Sequence, residues 1–94
     1  MFVHGKKLLL TFQQRHANAK KAVDIWLDET ANANWKGPVD IKREYASASF
    51  LADNRVVFNI KGNHYRLIIV VLYVHGLVKV EWIGTHAEYS RLKR

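Results

Sequence analysis

The spacing of apolar residues changes once along the chain, near Arg55, and the change divides it into two parts. In the first part apolar residues recur every three or four positions, the period of an amphipathic helix. Leu8, Leu9 and Phe12 share one face of a helix over residues 6–16. Ala19, Ala22, Val23, Trp26 and Thr30 form the stripe of a second, with Lys20, Lys21, Asp24 and Asp28 on its solvated side. Lys20 and Asp24 stand one turn apart, where opposite charges attract. Ala17-Asn18 separates the two helices, and Asn18 is expected to cap the second with its side-chain oxygen. Gly37-Pro38 ends this part, because proline cannot continue a helix. Ahead of the first helix, Phe2 to His4 reads as a short edge strand.

Beyond Arg55 the period becomes two. Val56, Phe58 and Ile60 alternate with Arg55, Val57 and Asn59. Gly62-Asn63 follows, a two-residue turn pair that tolerates positive φ. Residues 64–74 are almost continuously apolar, as expected of a central strand buried on both faces. His75-Gly76 makes the next turn. Leu77 to Gly84 reads as a third strand, with Val78, Val80 and Trp82 on one face and Lys79 and Glu81 on the other. Residues 86–94 read as a polar tail of one or two helical turns. The stretch Val39 to Asn54 has the weakest pattern: Asp40 to Arg43 suits a helical turn capped by Asp40, and Ala46 to Ser49 an ordered loop. Trp26, Trp35, Trp82 and Phe58 read as packing residues. The order is a strand, two helices and a three-stranded antiparallel meander, an α+β arrangement with helices on one face of a sheet.

Composition narrows the class. Ninety-four residues with 49% hydrophobic content fit one domain with one core. The absence of cysteine excludes disulfide scaffolds, thiolate zinc sites and thiol chemistry. The longest apolar run, Leu67 to Val74, falls far short of the roughly 20 residues that span a bilayer. Met1 to Lys7 has no apolar segment of signal-peptide length. The expectation is a cytoplasmic protein with no membrane partner. Fifteen Lys and Arg against eight Asp and Glu give +7. That balance points to a polyanionic partner, or else to a well-solvated basic surface. Ten of the basic residues lie between positions 36 and 94, so the anion is expected there.

Most site chemistries find no support. There is no phosphate loop and no dinucleotide fingerprint. The five histidines have no metal-ligand spacing, so neither a metal nor a cofactor is expected. Ser47, Ser49 and Ser90 lack the context of an activated nucleophile. What remains is a polar group at strand ends: Arg55, Asn59 and Lys61, then Arg66 just past the turn, then His86 and Tyr89 after the last strand. Arg66 interrupts an apolar strand and so requires an anionic partner. The candidate within the chain is Glu81; the alternative is a bound anion.

The run Asn54-Arg55-Val56-Val57-Phe58-Asn59-Ile60-Lys61-Gly62-Asn63-His64-Tyr65-Arg66-Leu67 resembles the signature hairpin of HigB toxins, within the RelE-like superfamily of bacterial toxin–antitoxin systems. Trp82-Ile83-Gly84-Thr85-His86-Ala87-Glu88-Tyr89 extends the resemblance, as do Ala33-Asn34-Trp35 and Asp40 to Arg43. It implies a RelE-like fold around a basic concave surface. It implies a ribosome-dependent mRNA endoribonuclease, an mRNA interferase. Its expected partners are mRNA on the ribosome and a HigA-like helix-turn-helix antitoxin, through which alone it would meet operator DNA.

Metal-free RNA cleavage uses the substrate's own 2′-hydroxyl as nucleophile. It needs a base for that proton, a cation for the phosphate charge and an acid for the departing 5′-oxygen. His86 is the first candidate for base or acid, since imidazole titrates near neutrality. Arg66 would grip the scissile phosphate. Tyr89 is a proton donor or a stacking surface, and Lys61 the next candidate for proton transfer. Lys61 and Arg55 would also meet neighbouring phosphates, and Asn59 and Asn63 a base or sugar. Lys42 and Arg43 are candidates for RNA contact. Glu81 departs from the family, which usually carries a basic residue there. A groove degraded by Glu81 leaves an alternative function: a non-catalytic module that binds RNA, ribosome or antitoxin. A sequence-specific DNA reader is disfavoured, because no helix pair has recognition-helix spacing.

Overall fold

The computed structural model describes residues 1–92. The elements are β1 (Phe2–His4), α1 (Lys6–Arg15), α2 (Lys20–Ala31), α3 (Pro38–Glu44), β2 (Ser49–Phe50), β3 (Arg55–Ile60), β4 (Tyr65–Leu72), β5 (Leu77–Thr85) and α4 (His86–Arg91). The strands form one five-stranded sheet in the order β1-β5-β4-β3-β2. β1 is an edge strand and runs parallel to β5; the other pairings are antiparallel. The architecture is α+β with a mixed sheet. It contains the expected meander, widened by one short strand on each side. No described helix is long and apolar enough to cross a membrane.

One sheet face carries the main core. Val56, Phe58, Ile60, Tyr65, Leu67, Ile69, Val71, Val78 and Val80 pack there with Leu9, Phe12, Ala19, Val23 and Trp26 of the helical layer. The helical stripes face the sheet as their spacing requires: Ala19, Val23, Trp26 and Thr30 are buried while Lys20 and Asp24 pair at 3.0 Å in solvent. A fully buried aliphatic or aromatic side chain contributes about 1.5–3 kcal/mol, so this face dominates the stability of the domain. Trp35 joins it from the segment before α3, its indole N–H donating to Glu44 at 2.8 Å.

Several local expectations are corrected. Asn18 does not cap α2: residues 17–19 form a 3₁₀ turn, α2 starts after Ala19, and Asn18 Oδ1 accepts from the Tyr65 hydroxyl at 2.5 Å. The side chain is drawn to a buried tyrosine that needs a partner rather than to free helical N–H groups. Asp40 lies inside α3 rather than at its cap, because Pro38 sets the first helical φ. Asp40 instead accepts from the Lys36 backbone N–H at 2.7 Å and pairs with Arg43 at 3.3 Å. Ser49-Phe50, expected as loop, pairs with Val57 and Val56 as β2. The β3–β4 turn takes positive φ at Lys61 (53°) and Gly62 (63°), not at Gly62-Asn63. The connection has four residues between the paired Ile60 and Tyr65, and its left-handed positions come first.

The largest correction concerns β5. Ile68 pairs with Trp82 and Ile69 with Val80, so Glu81 is an inserted residue opposite no partner, a β-bulge. Val78 and Val80 face the helical layer as expected, but Trp82 has been carried to the opposite face.

The turn from β1 into α1 depends on Gly5, whose φ is +87° and whose missing Cβ would stand 2.9 Å from the Val80 carbonyl oxygen. Both features exclude a side chain. Gly5→Ala is expected to destabilise the domain by about 1–3 kcal/mol, read as a lower urea midpoint at unchanged m-value.

Candidate nucleic-acid interface

The face of β3, β4 and β5 opposite the helical layer carries the candidate residues. Register orders them in three rows across the strands: Arg55, Val70 and Lys79; Val57, Ile68 and Trp82; Asn59, Arg66 and Gly84. Val57 and Ile68 in the middle row are 4% and 3% exposed, so this face has an apolar centre under polar side chains. The arrangement follows from strand alternation. Every second residue of β3 and β4 points away from the helices, and the bulge restores β5 to that alternation from Trp82 onward.

Two arginines on this face have different fates. Arg55 reaches across β4 to Glu81, its Nε at 2.7 Å from one carboxylate oxygen and a terminal nitrogen at 3.0 Å from the other. Asp53 adds a contact at 3.5 Å. The Glu81 carboxylate holds the Arg55 pKa above its ordinary value, by hydrogen bonding and by charge. Glu81 therefore serves Arg55, which corrects the sequence-based candidate pairing with Arg66. Arg66 has no carboxylate partner among the described residues. Its guanidinium carbon lies 5.7 Å from the centroid of the Tyr89 ring, and one nitrogen is 3.5 Å from the Asn63 carbonyl. Exposed ion pairs contribute only about 0–1 kcal/mol. The Arg55–Glu81 bridge is thus weak enough for an incoming phosphate to exchange with it.

Tyr89 is held under Arg66 by the start of α4. The Thr85 hydroxyl accepts from the Glu88 N–H at 3.1 Å, and the Glu88 carboxylate accepts from the Thr85 N–H at 2.8 Å. This reciprocal capping box fixes α4 to the end of β5. It was legible in the spacing Thr85-x-x-Glu88, which the reading of residues 86–94 as a polar tail passed over. The hydrogen bond from the Thr85 backbone keeps the Glu88 carboxyl below its ordinary pKa. Trp82 also adjoins Tyr89, ring centroids 6.2 Å apart. Gly84 is buried beneath Trp82, and a Cβ there would meet the indole at 2.5 Å. Trp82 and Gly84 are the residues that sequence reasoning missed as parts of this face.

His86 opens α4 and is exposed, and its backbone N–H donates to the His64 carbonyl at 2.9 Å. His64 in turn donates its backbone N–H to Lys61, at 3.2 Å. The β3–β4 turn with Lys61, Asn63 and His64 is thus tied to the β5–α4 junction with His86. Asn59 lies beside Arg66 in register. These residues form one end of the open face. Lys42 and Arg43 stand apart on α3, bound to the Ala48 carbonyl at 2.8 Å and to Asp40 respectively.

The open sheet face thus brings together Arg55 bound to Glu81, Arg66 over Tyr89, the Trp82–Tyr89 pair and, at one end, His64 and His86. The family of HigB toxins, the RelE-like toxic component of a toxin–antitoxin system, matches residues 19–92. The chain belongs to that family, whose members act together with an antitoxin. No curated protein matches the chain.

Gly84→Ala is expected to push the indole off the open face. Trp26 and Trp35 are each 2% exposed, so a rise in acrylamide quenching of tryptophan fluorescence would report the displacement of Trp82. The lowered Glu88 pKa gives stability that is present above the ordinary carboxylate pKa and lost as pH falls through the lowered value. Acidification below about pH 4 should therefore loosen α4. Glu88→Gln should lower stability near neutrality, where the ionised carboxylate contributes, and flatten the profile in the acid range.

Proposed function

We propose that this toxin is a ribosome-dependent mRNA endoribonuclease that works without a metal. The observation that carries the reading is Arg66: a cation on an otherwise apolar strand, placed over Tyr89 and without a carboxylate partner among the described residues. This partly exposed guanidinium is accessible to an anion, and a phosphodiester fits its planar fork.

In this reading the 2′-hydroxyl oxygen attacks the adjacent phosphorus and gives up its proton to a base. The P–O5′ bond breaks, and the 5′-oxygen leaves with a proton from an acid. The products are a 2′,3′-cyclic phosphate and a 5′-hydroxyl, with no water consumed. His86 takes one of the two proton transfers. Tyr89 and Lys61 are the candidates for the other. Arg66 stabilises the charge on the phosphate, and Arg55, once released from Glu81, contacts a neighbouring phosphate. Asn59 and Asn63 meet base or sugar edges. Lys42 and Arg43 contact RNA away from the reacting bond. The neutralising partner is a HigA-like helix-turn-helix antitoxin that also carries the complex to operator DNA. The protein acts in the cytoplasm, where its message and ribosome are.

A second reading draws on Glu81. A carboxylate bound to Arg55 on this face opposes phosphate, which suits a protein that binds RNA, ribosome or antitoxin without cutting.

The two readings separate in a purified translation system, by primer extension of mRNA 5′ ends. Cleavage is expected only with ribosomes. Loss of general acid–base catalysis typically costs 10²–10⁴-fold, and His86→Ala should fall in that range. Arg66→Ala should lose about 10²–10³-fold, as when a stabilising donor is removed. Both variants should keep the wild-type thermal midpoint. Cuts that persist at full rate in His86→Ala would move the proton transfer to Tyr89 or Lys61. No cuts with folded, ribosome-bound protein would establish the binding module. Glu81→Arg should increase cleavage, by freeing Arg55 and reversing a charge beside it; no gain with an intact fold would refute the inhibitory role of Glu81.

A further inference from the structure

β1 pairs with β5 only at Leu77, Val78 and Lys79. Beyond Val80 the outer edge of β5 has no strand beside it among the described residues. α1 passes along this edge and leaves a groove of about 440 Å³ between itself and β5, lined by Lys7, Phe12, Arg15, Trp82 and Ile83 among others. A second hollow of about 260 Å³ shares Phe12, Arg15, Trp82 and Ile83 and runs on to Glu88 and Arg91 of α4. The two form one channel, and the Trp82 indole is common to both.

We propose that this channel is a nucleobase subsite: the base of a nucleotide next to the cleaved phosphate stacks on Trp82. The proposal rests on the ribonuclease reading and adds to it a place for the RNA beyond the reacting bond. Three observations favour a base. Trp82 is half-buried and adjoins Tyr89, which lies under Arg66, so the channel shares its indole with the face where the phosphate would be held. The indole lies over Gly84, where any side chain would displace it, and the β-bulge turns it to this face. The charges suit a polyanion. The two carboxylates at the channel are committed, Glu81 to Arg55 and Glu88 to the Thr85 N–H. Lys7, Arg15 and Arg91 remain along the rim as sites for flanking phosphates. The volume exceeds what one planar base needs and lies within the usual range of small-ligand sites. Stacking on an aromatic ring ignores base identity, so the subsite would add affinity without fixing sequence.

The test uses the three tryptophans. Trp26 and Trp35 are 2% exposed, so quenching by a bound base reads Trp82. A single-stranded 12-nucleotide RNA is titrated at low salt, with tryptophan emission and the anisotropy of a dye on the RNA followed together. Ribosome-dependent cleavage is measured in parallel. Binding should quench the emission. Trp82→Ala should weaken RNA binding roughly 5- to 100-fold, as removal of one stacked base does. It should do so equally at every salt concentration, because no phosphate contact is lost. Trp82→Phe should restore most of the affinity. Arg15→Ala should instead reduce the salt slope. RNA that binds by anisotropy without quenching, or binds Trp82→Ala undiminished, overturns the subsite and leaves the nuclease standing. Quenching by the antitoxin but not by RNA also overturns it and makes the channel a protein interface. Failure of the wild-type protein both to bind and to cleave removes the subsite and the nuclease reading together.

Discussion

A single inserted residue sets the arrangement of the open face. The bulge at Glu81 reverses the alternation of β5 between Val80 and Trp82. On one side of it, Val78 and Val80 complete the core under the helices. On the other, Trp82 and Gly84 join Arg66 and Asn59. The bulge also brings the Glu81 carboxylate within reach of Arg55 across β4. Without the insertion the strand would keep Trp82 against the helical layer and send Ile83 to solvent. Bulges bend and re-aim strands at a local cost in ladder hydrogen bonds. Here the cost is offset by packing on both sides of the bulge: Val78 and Val80 before it and Ile83 after it meet the core, while Trp82 is released for other contacts.

The elements around the bulge support one another. The capping box at Thr85 and Glu88 starts α4 immediately where β5 ends, so Tyr89 has little freedom relative to Arg66. The carbonyl of His64 receives the His86 N–H and closes the β3–β4 turn onto the same junction. A site on rigid strand ends keeps its geometry better than one on long loops. The side chains of such a face are ordered before any partner arrives, so less ordering entropy is lost on binding.

Periodicity made much of this legible. The stripe from Ala19 to Thr30 and the alternation from Val56 to Ile60 each report one buried face, and one buried face is what produced them. Arg66 drew attention for the same reason, as a charge on an apolar strand. What stayed hidden lies in relations between strands. Lys79-Val80-Glu81-Trp82 reads as regular alternation within β5, and only its pairing with Ile68 and Ile69 shows the extra residue. The choice of Arg55 over Arg66 as partner of Glu81 is likewise a matter of register. α3 and β2 are too short to carry a period, and β2 is defined by its pairing with Val56 and Val57. Asn18 and Asp40 have the right side chains for caps and were drawn to other donors nearby.

β1 and β5 come from opposite ends of the described chain, with Phe2 beside Leu77. Contacts of such wide sequence separation close late, because the intervening chain must first be ordered. The open face is built on that same strand β5, as is the junction that holds His86 and Tyr89. The site is therefore complete only once Phe2 to His4 have closed onto Leu77 to Lys79, and a change that frees β1 is felt at the strand that carries Trp82 and Gly84.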